Sequence, residues 1–548
     1  MQNACREIIK ESLANRENFS KNDFEVLKIR VSKKHGLGTI VKNTQILEVA
    51  KDSEVSELRK LFSRKPTRSI SGVSVIAVMT APELKCPHGV CTFCPKGEGA
   101  SQSYTGKEPS SRRSRMNDYD PYRTVENRLW QLKRIGHPVD KVELIVQGAT
   151  FTSAPPEYQE TFIKSCTEAM LAQSEGVWKR PSSTMEGVHL ALPRFVGHRL
   201  STWGEVSKEA ETSKVRPVGI TIETKPEYCQ PQHLNKLLEL GATRVEIGVQ
   251  TVYDDILKAT NRGHTVQDSI GATQRLKDCG IKVNYHMMPG LPGSSFEKDL
   301  HSLKEVFDNP DFRPDMLKIY PTLVIEGTTL YQQWKRGEFT PLSNEEAAEI
   351  IVKAKKHFPP WVRIMRINRD IPSTEISAGI LRTDLRELVK ERQKELGVEC
   401  HCIRCREVGH RAQKDGIYPQ NVEVRELEYE ASSGKEIFIS AEDFENGILI
   451  GYLRLRFPSD SIFRPEITPE TALVRELHVY GPEVPIGETA NERAFQHRGY
   501  GKKLLARAEG LSREKGFKKL LVLSGIGAKQ YYKKLGYDYD GVYMRKLL

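Results

Sequence analysis

The 548 residues exceed what one hydrophobic core sustains, about 250–300 residues, so at least two domains are required. Hydrophobic content of 38% and charged content of 28% are those of a globular chain. No apolar run approaches the roughly 18 residues that span a bilayer, and the opening MQNACREIIKESLANRE has no apolar signal core, so a cytoplasmic protein is expected. A net charge of +11 suits a polyanionic partner.

In chain order, residues 1–70 come first, with 15 Lys+Arg against 9 Asp+Glu, more than half of the net excess. An RNA-contacting module, including KIRVSKKHG, fits this charge, and so does a solvated helical face. From about residue 72 to 372, β-rich runs alternate with helical stretches. The runs are SVIAVMT, KVELIVQG, GITIETKP, TRVEIGVQT, KVNYHMMPG, MLKIYPTLVI and VRIMRINRDIP; Leu234, Leu237, Leu238 and Leu240 before Gly241 show the helical spacing. Repeated βα units with near-continuous apolar strands predict an α/β fold with a buried parallel sheet, a partial or full (β/α) barrel over 71–390. Chemistry in such barrels gathers at the C-terminal strand ends.

After the first run comes CPHGVCTFC, spacing Cys86-x4-Cys91-x2-Cys94 with Phe93 before the last cysteine. Three thiolates can hold a 4Fe-4S cluster and leave one iron open for S-adenosylmethionine (SAM); a zinc site completed by His88 or a remote residue is the other reading. Past residue 372 a charged helix, LRELVKERQKEL, leads into Cys400-x-Cys402-x2-Cys405 within a linker over 391–419. Clustered cysteines in a cytosolic chain indicate metal, here a structural tetrahedral zinc with His410 or His401 as fourth ligand, or a reduced metal-free cluster.

The last domain, 420–548, reads as an antiparallel meander (NVEVRELEYEA, KEIFISAED, GILIGYLRLRF), a strand RELHVYG, a long helix, a strand KLLVLSG, a short helix and a final strand. Gln496, Gly499 and Gly501 in QHRGYG open the long helix. Glycines admit close approach of a pyrophosphate, and the first helical N–H groups favour its charge. A tyrosine near a departing thiolate can act as general acid, the role open to Tyr531 and Tyr532, although paired helical tyrosines more often pack.

The first cysteine motif resembles the radical SAM signature with one additional residue in its first gap, and QxxGxG resembles the acetyl-CoA signature of GNAT acetyltransferases. Both signatures on one chain, with SQSYTGKEPSSRR, GITIETKPEYC, TRVEIGVQTVYDD, NRGHTV, FRPDMLKIYPTLVIEGT, INRDIP, VRELHVYGP and FQHRGYG, resemble the family of the Elongator catalytic subunit, the tRNA uridine acetyltransferases, over essentially the whole chain. The resemblance implies a radical SAM barrel followed by a GNAT α+β domain. It implies that Cys86, Cys91 and Cys94 hold a 4Fe-4S cluster. It also implies that Lys141, Glu476, Leu477, His478, Val479, Tyr500, Gly501, Lys502 and Tyr532 contact acetyl-CoA. Gly148 and Thr150 in QGATF take the position that binds the SAM amino group, with Ala149 tolerated there if its φ is negative. The implied reaction uses a 5′-deoxyadenosyl radical to activate the acetyl methyl for addition to uracil carbon five at the tRNA wobble position, with thioester hydrolysis leaving carboxymethyluridine. Lys107, Arg112, Arg113 and Arg115, with Tyr104 as stacking ring, and the region 1–70 are expected to bind the anticodon stem-loop. A homodimer or other Elongator-type subunits are the expected protein partners. Two rival readings are a protein lysine acetyltransferase that uses only the GNAT domain, and a non-catalytic tRNA-binding acetyl-CoA sensor.

Overall fold

A computed structural model describes residues 1–15, 19–51, 54, 72–174, 202–480 and 499–548. Among these, no helix is long and apolar enough to cross a membrane. Three N-terminal helices, Gln2–Ala14, Lys21–Lys34 and Asn43–Val49, close on Ile8, Ile9, Phe24, Leu27, Val31 and Ile46. Ser20 starts the second with a capping box, taking the Asp23 N–H on its hydroxyl while the Asp23 carboxylate takes the Ser20 N–H. Part of this region's positive charge is spent within it: Lys34 pairs with Glu7 and Arg30 with Glu11.

The barrel strands are β1 (Ser74–Met79), β2 (Lys141–Gln147), β3 (Arg216–Thr224), β4 (Arg244–Gln250), β5 (Lys282–Met287) and β6 (Met316–Ile319), then β7 (Val324–Ile325) and β8 (Arg363–Ile367). Seven of them form one parallel sheet in the order β1-β2-β3-β4-β5-β6-β8. Because β1 and β8 are its two edges, the barrel is partial. MLKIYPTLVI reads as one strand, but β6 stops before Tyr320-Pro321, where proline removes a ladder donor. The chain resumes as β7, which pairs with β9 (Ile376–Ala378) in a separate ribbon. On β2 the residues Val142, Leu144 and Val146 are buried against the helices, while Lys141, Glu143, Ile145 and Gln147 face the lumen side.

The second sheet comprises β10 (Glu423–Ala431), β11 (Gly434–Asp443), β12 (Ile448–Phe457), β13 (Thr471–Val479), β14 (Lys519–Val522), β15 (Asp538–Asp540) and β16 (Tyr543–Leu547), in the order β10-β11-β12-β13-β14-β16-β15. The strand expected at RELHVYG begins earlier, at Thr471, because the apolar Ala472-Leu473-Val474 pairs parallel to β14. That pairing stops at Val474, so Arg475–Val479 keeps only β12 as neighbour and the two strands splay apart. Ala472, Val474, Leu520, Val522 and Met544 pack under the helix Tyr500–Glu514, whereas Leu473, Leu521 and Tyr543 join the barrel's own core.

A buried charge network welds this sheet to the barrel. Arg475 binds Asp315 at 2.5 and 2.9 Å and Glu436 at 2.9 Å, and it donates to the Ile281 carbonyl at 3.1 Å. Arg456 meets Asp278 (2.6 Å) and Glu436 (3.1 Å), Arg454 meets Glu476 (2.9 Å) and Asp315 (3.6 Å), and Lys277 lies 3.7 Å from Glu436. Four cations thus face four carboxylates. The barrel supplies Lys277, Asp278 and Asp315, all just before or beneath strand N-termini. Burial opposes ionisation of Asp315, but Arg475, Lys277 and Arg454 hold its carboxyl well below the usual carboxylate range.

Replacing Asp315→Asn leaves buried guanidinium groups short of charge, and chemical denaturation at neutral pH should show a loss of about 3–5 kcal/mol. Because the folded-state pKa is depressed, the wild-type contribution is fully present above the ordinary value near pH 4 and is lost as pH falls toward the folded value. The variant's stability should therefore fall less on acidification than that of the wild type.

Candidate active site

The loop after β1 carries Cys86, Cys91 and Cys94 to the C-terminal end of the sheet, where all three are buried and line one cavity of about 440 Å³. Each sulfur has a polar neighbour: Thr150 Oγ1 at 3.3 Å from Cys86, Arg262 Nη1 at 3.3 Å from Cys91, and Ser103 Oγ at 3.4 Å from Cys94. Burial raises the Cys86 and Cys94 thiols, and hydrogen bonds from Thr150 and Ser103, followed by the charges of Lys225 and Arg369, pull them back. His88 Nε2 is 3.2 Å from Cys91 Sγ, its pKa lowered to about 4 by burial with Lys225 and Arg262 adding to it. These three sulfurs are not drawn into the tight group that a single ion requires, whereas those of Cys400, Cys402 and Cys405 all lie within 4.8 Å of one another. Tetrahedral zinc with bonds near 2.3 Å sets sulfurs about 3.8 Å apart. The wider trio, with cations beside its thiols and a cavity in front, fits the corners of a cluster with an open face.

The loop after β2 differs from its expectation. Ala149 has φ +51°, not a negative value, and follows Gly148 at +93°. Two successive left-handed residues curl the backbone, held by the Ala149 N–H on the Gln102 carbonyl (3.3 Å) and the Thr80 hydroxyl on the Gly148 carbonyl (3.1 Å). Alanine accepts the conformation at a strain of order 1–2 kcal/mol. Gly148 is needed for space as well, since a Cβ there would stand 2.8 Å from both Ser101 Cβ and Thr80 Oγ1.

Deeper in the lumen lies a polar cluster that motif reading missed. Glu246 binds His286 Nε2 (2.8 Å) and the Lys318 ammonium, and Lys318 is 3.6 Å from Glu223. Glu223 also accepts from Gln147 (3.0 Å) and from the Tyr104 hydroxyl (3.3 Å). Glu223, Glu246 and His286 converge closely enough for a metal, but Lys318 already supplies the cation. Burial works against Glu246, yet Lys318, His286 and Arg244 keep it well below its usual range. Alternation of carboxylates with apolar positions on inward strand faces was the available signal. Tyr104, expected to stack on RNA, turns into this cavity under Arg369, whose guanidinium lies 5.5 Å from the ring.

In the other domain, Gly499 at φ +82° caps the helix Tyr500–Glu514, with open space where its Cβ would be. The Tyr531 hydroxyl reaches over Gly501, 2.9 Å from the place of a Cβ, and Tyr531 is 38% exposed. Tyr532 is buried in the core under that helix, edge-on to Tyr531 at 5.2 Å. Glu476–Val479 edge the splay, partly accessible. Gln496 lies outside the described residues.

The Radical SAM superfamily model matches residues 84–306 and the Radical SAM C-terminal domain 314–395. The ELP3 N-terminal domain matches 1–70, and the Acetyltransferase (GNAT) family 407–537. A Methanocaldococcus jannaschii protein named tRNA uridine(34) acetyltransferase is 50% identical over 92% of this chain and 90% of its own. The Elongator complex protein 3 of Schizosaccharomyces pombe is 44% identical over 100% of this chain and 98% of its own. A solved structure of archaeal Methanocaldococcus infernus Elp3 with an N-terminal deletion covers 87% of this chain and 100% of that one, at 47% identity and TM-score 0.74. This chain belongs to the Elp3 family.

In an Elp3-family chain the radical SAM domain implies a 4Fe-4S cluster with SAM, and the GNAT domain implies acetyl-CoA. The Cys400 trio, with Cys402 and Cys405 sulfurs 3.6 Å apart, sits between the two domains beside Lys355. His401 and His410 stay outside that group, each 4.0 Å from a glutamate, Glu399 and Glu407. Of the expected RNA contacts, Arg112 and Arg115 are exposed on the helix Pro109–Arg115 and Lys107 pairs with Glu375 at 2.7 Å. Arg113 lines the cavity.

Gly148→Ala should cost about 1–3 kcal/mol of stability in chemical denaturation, from the left-handed backbone together with the two short approaches.

Proposed function

We propose that this Elp3-family chain carboxymethylates the wobble uridine of tRNA, drawing the two-carbon unit from acetyl-CoA. The observation that carries the reading is the pair of sites in one body: an open-faced cysteine trio at the C-terminal end of a half-barrel, and an acyl-CoA cleft beneath it. Cys86, Cys91 and Cys94 would hold the cluster, with Gly148 and Thr150 beside SAM. When bound there, cluster and SAM supply a 5′-deoxyadenosyl radical by one-electron cleavage. The acetyl methyl would give up one hydrogen atom and its carbon would bond to uracil carbon five; the pyrimidine is restored when one electron returns to the cluster that supplied it for SAM cleavage and water takes the carbon-five proton. Water then releases CoA and leaves the carboxymethyl group.

The chain's own residues orient these steps. Lys141, the edge Glu476–Val479 and the helix start Gly499–Lys502 hold acetyl-CoA, the helical N–H groups facing its pyrophosphate. Tyr531, whose hydroxyl lies over Gly501, is placed to protonate the departing thiolate, and Tyr532 fixes its ring edge-on. Exposed Arg112 and Arg115, with Lys107 and the N-terminal helices, form the phosphate-binding face for the anticodon stem-loop. Elongator-type subunits or a second copy are the proposed protein partners. The Cys400 trio takes a structural zinc.

Mass spectrometry of nucleosides from tRNA incubated anaerobically with reconstituted protein, reductant, SAM and acetyl-CoA should show carboxymethyluridine together with 5′-deoxyadenosine. Cys91→Ser should abolish both and leave CoA binding in place. Persistence of acetyl transfer in that variant, on tRNA or on a protein lysine, would overturn the reading. Elemental analysis should find about one zinc per chain, lost in Cys402→Ser together with a lower melting temperature.

A further inference from the structure

We propose that the lumen of the half-barrel is itself a binding channel for the acyl-pantetheine arm, entered at the N-terminal ends of the strands and closed there by an Arg244–Glu143 stopper. The inference rests on the acyl-CoA reading above and adds where the arm goes.

The cavity that holds the cysteine trio does not end near it. Strand β4 presents Arg244, Glu246, Gly248 and Gln250 to it, alternate residues from the first position of the strand to the last. At ~3.3 Å per residue that is a passage about 20 Å long. Its upper end is the thiol trio. Its foot is Arg244, which is 5% exposed and joins Glu143 at 2.5 Å and Glu246 at 3.4 Å, with Thr221 donating to Glu143 at 3.2 Å.

The acyl cleft opens onto that foot. One lip of the splay, β13, lies beneath β5 and β6, since Arg475 binds the Ile281 carbonyl and Asp315. The other lip, the turn after β14, lies beneath β3: a Cβ on Gly525 would stand 2.0 Å from the Val218 carbonyl oxygen, and Gly527 backs onto the Arg216 side chain. Glu476 on the splayed edge acts on Arg244 and on Lys282 at the start of β5. Lys141 stands at the foot of the same face of β2 that carries Glu143, Ile145 and Gln147 upward, with no ion-pair partner among the described residues.

The wall suits such an arm. Val75, Ala77 and Ile145 make one side apolar, and Ala77 is directly opposite Ile145 in the β1–β2 register. Glu246, His286 and Lys318 offer donors and acceptors for amides on the other. A nucleotide held at the helix start beyond the cleft can deliver its acyl methyl to the trio only through a narrow, extended tether. Opening requires Arg244 to leave Glu143.

The test uses the full-length chain without cluster. CoA methyl disulfide should exchange with Ala77→Cys, forming the protein–CoA mixed disulfide and releasing methanethiol, about tenfold or more faster than glutathione methyl disulfide, because binding at the cleft makes the attack intramolecular. Peptide mass mapping locates the label. Excess acetyl-CoA should suppress it, and adding Arg244→Ala should speed it. Equal rates for the two disulfides, or labelling indifferent to acetyl-CoA, would overturn the channel. In the loaded enzyme, Ala77→Trp should cut carboxymethyluridine about tenfold or more while CoA binding, tRNA binding and 5′-deoxyadenosine formation persist. Loss of tRNA binding instead would assign the lumen to the RNA base and also overturn the proposal. Failure of the wild type to form the nucleoside would sink the proposed reaction while the labelling result stood by itself.

Discussion

Asp315 sits one residue before β6, receives Arg475 and Arg454 from the second sheet, and accepts the Val283 N–H from β5 at 2.8 Å. Around it, four cations and four carboxylates are removed from water together, a state that survives only if every member is paired. Removal of any one leaves an uncompensated charge in a dry interface, so the network tolerates one arrangement of the two domains and no sliding. Its partners all lie at the N-terminal feet of barrel strands or on β11, β12 and β13. That placement orients the splay of β13 and β14 toward the lumen.

The consequence is a division of labour along one axis. Cysteines, the curled Gly148-Ala149 turn and Arg262 occupy the C-terminal strand ends, where loops are free to vary on a rigid sheet. The N-terminal ends, which in closed barrels serve stability, here meet a second domain. Between them runs a polar lumen in which Lys318 and His286 pair with Glu246, and Lys318 lies beside Glu223.

Much of this was legible residue by residue. The parallel strands, the antiparallel meander and both cysteine motifs appear at the expected places, because hydrophobic period and ligand spacing act over a few residues. Where local reading was silent or mistaken, distant neighbours were responsible. Nothing in the alternating Leu453-Arg454-Leu455-Arg456 marks its arginines as fully buried, and both are. Their acids, Asp278 and Asp315, are more than a hundred residues upstream. Tyr104 stands in a basic segment, and Glu223, more than a hundred residues away, draws its hydroxyl into the cavity. Ala149 takes a positive φ because the Gln102 and Thr80 contacts hold the turn on both sides.

Local chemistry was therefore settled by the chain's order of residues: three thiols near one strand end, glycines at one helix start, apolar faces of period two. Which way the domains face, which arginines are dry, and that the cysteine cavity reaches Arg244 were decided by packing alone. Charge pairing and cavity continuity depend on atoms brought together across the chain, and no local spacing encodes them.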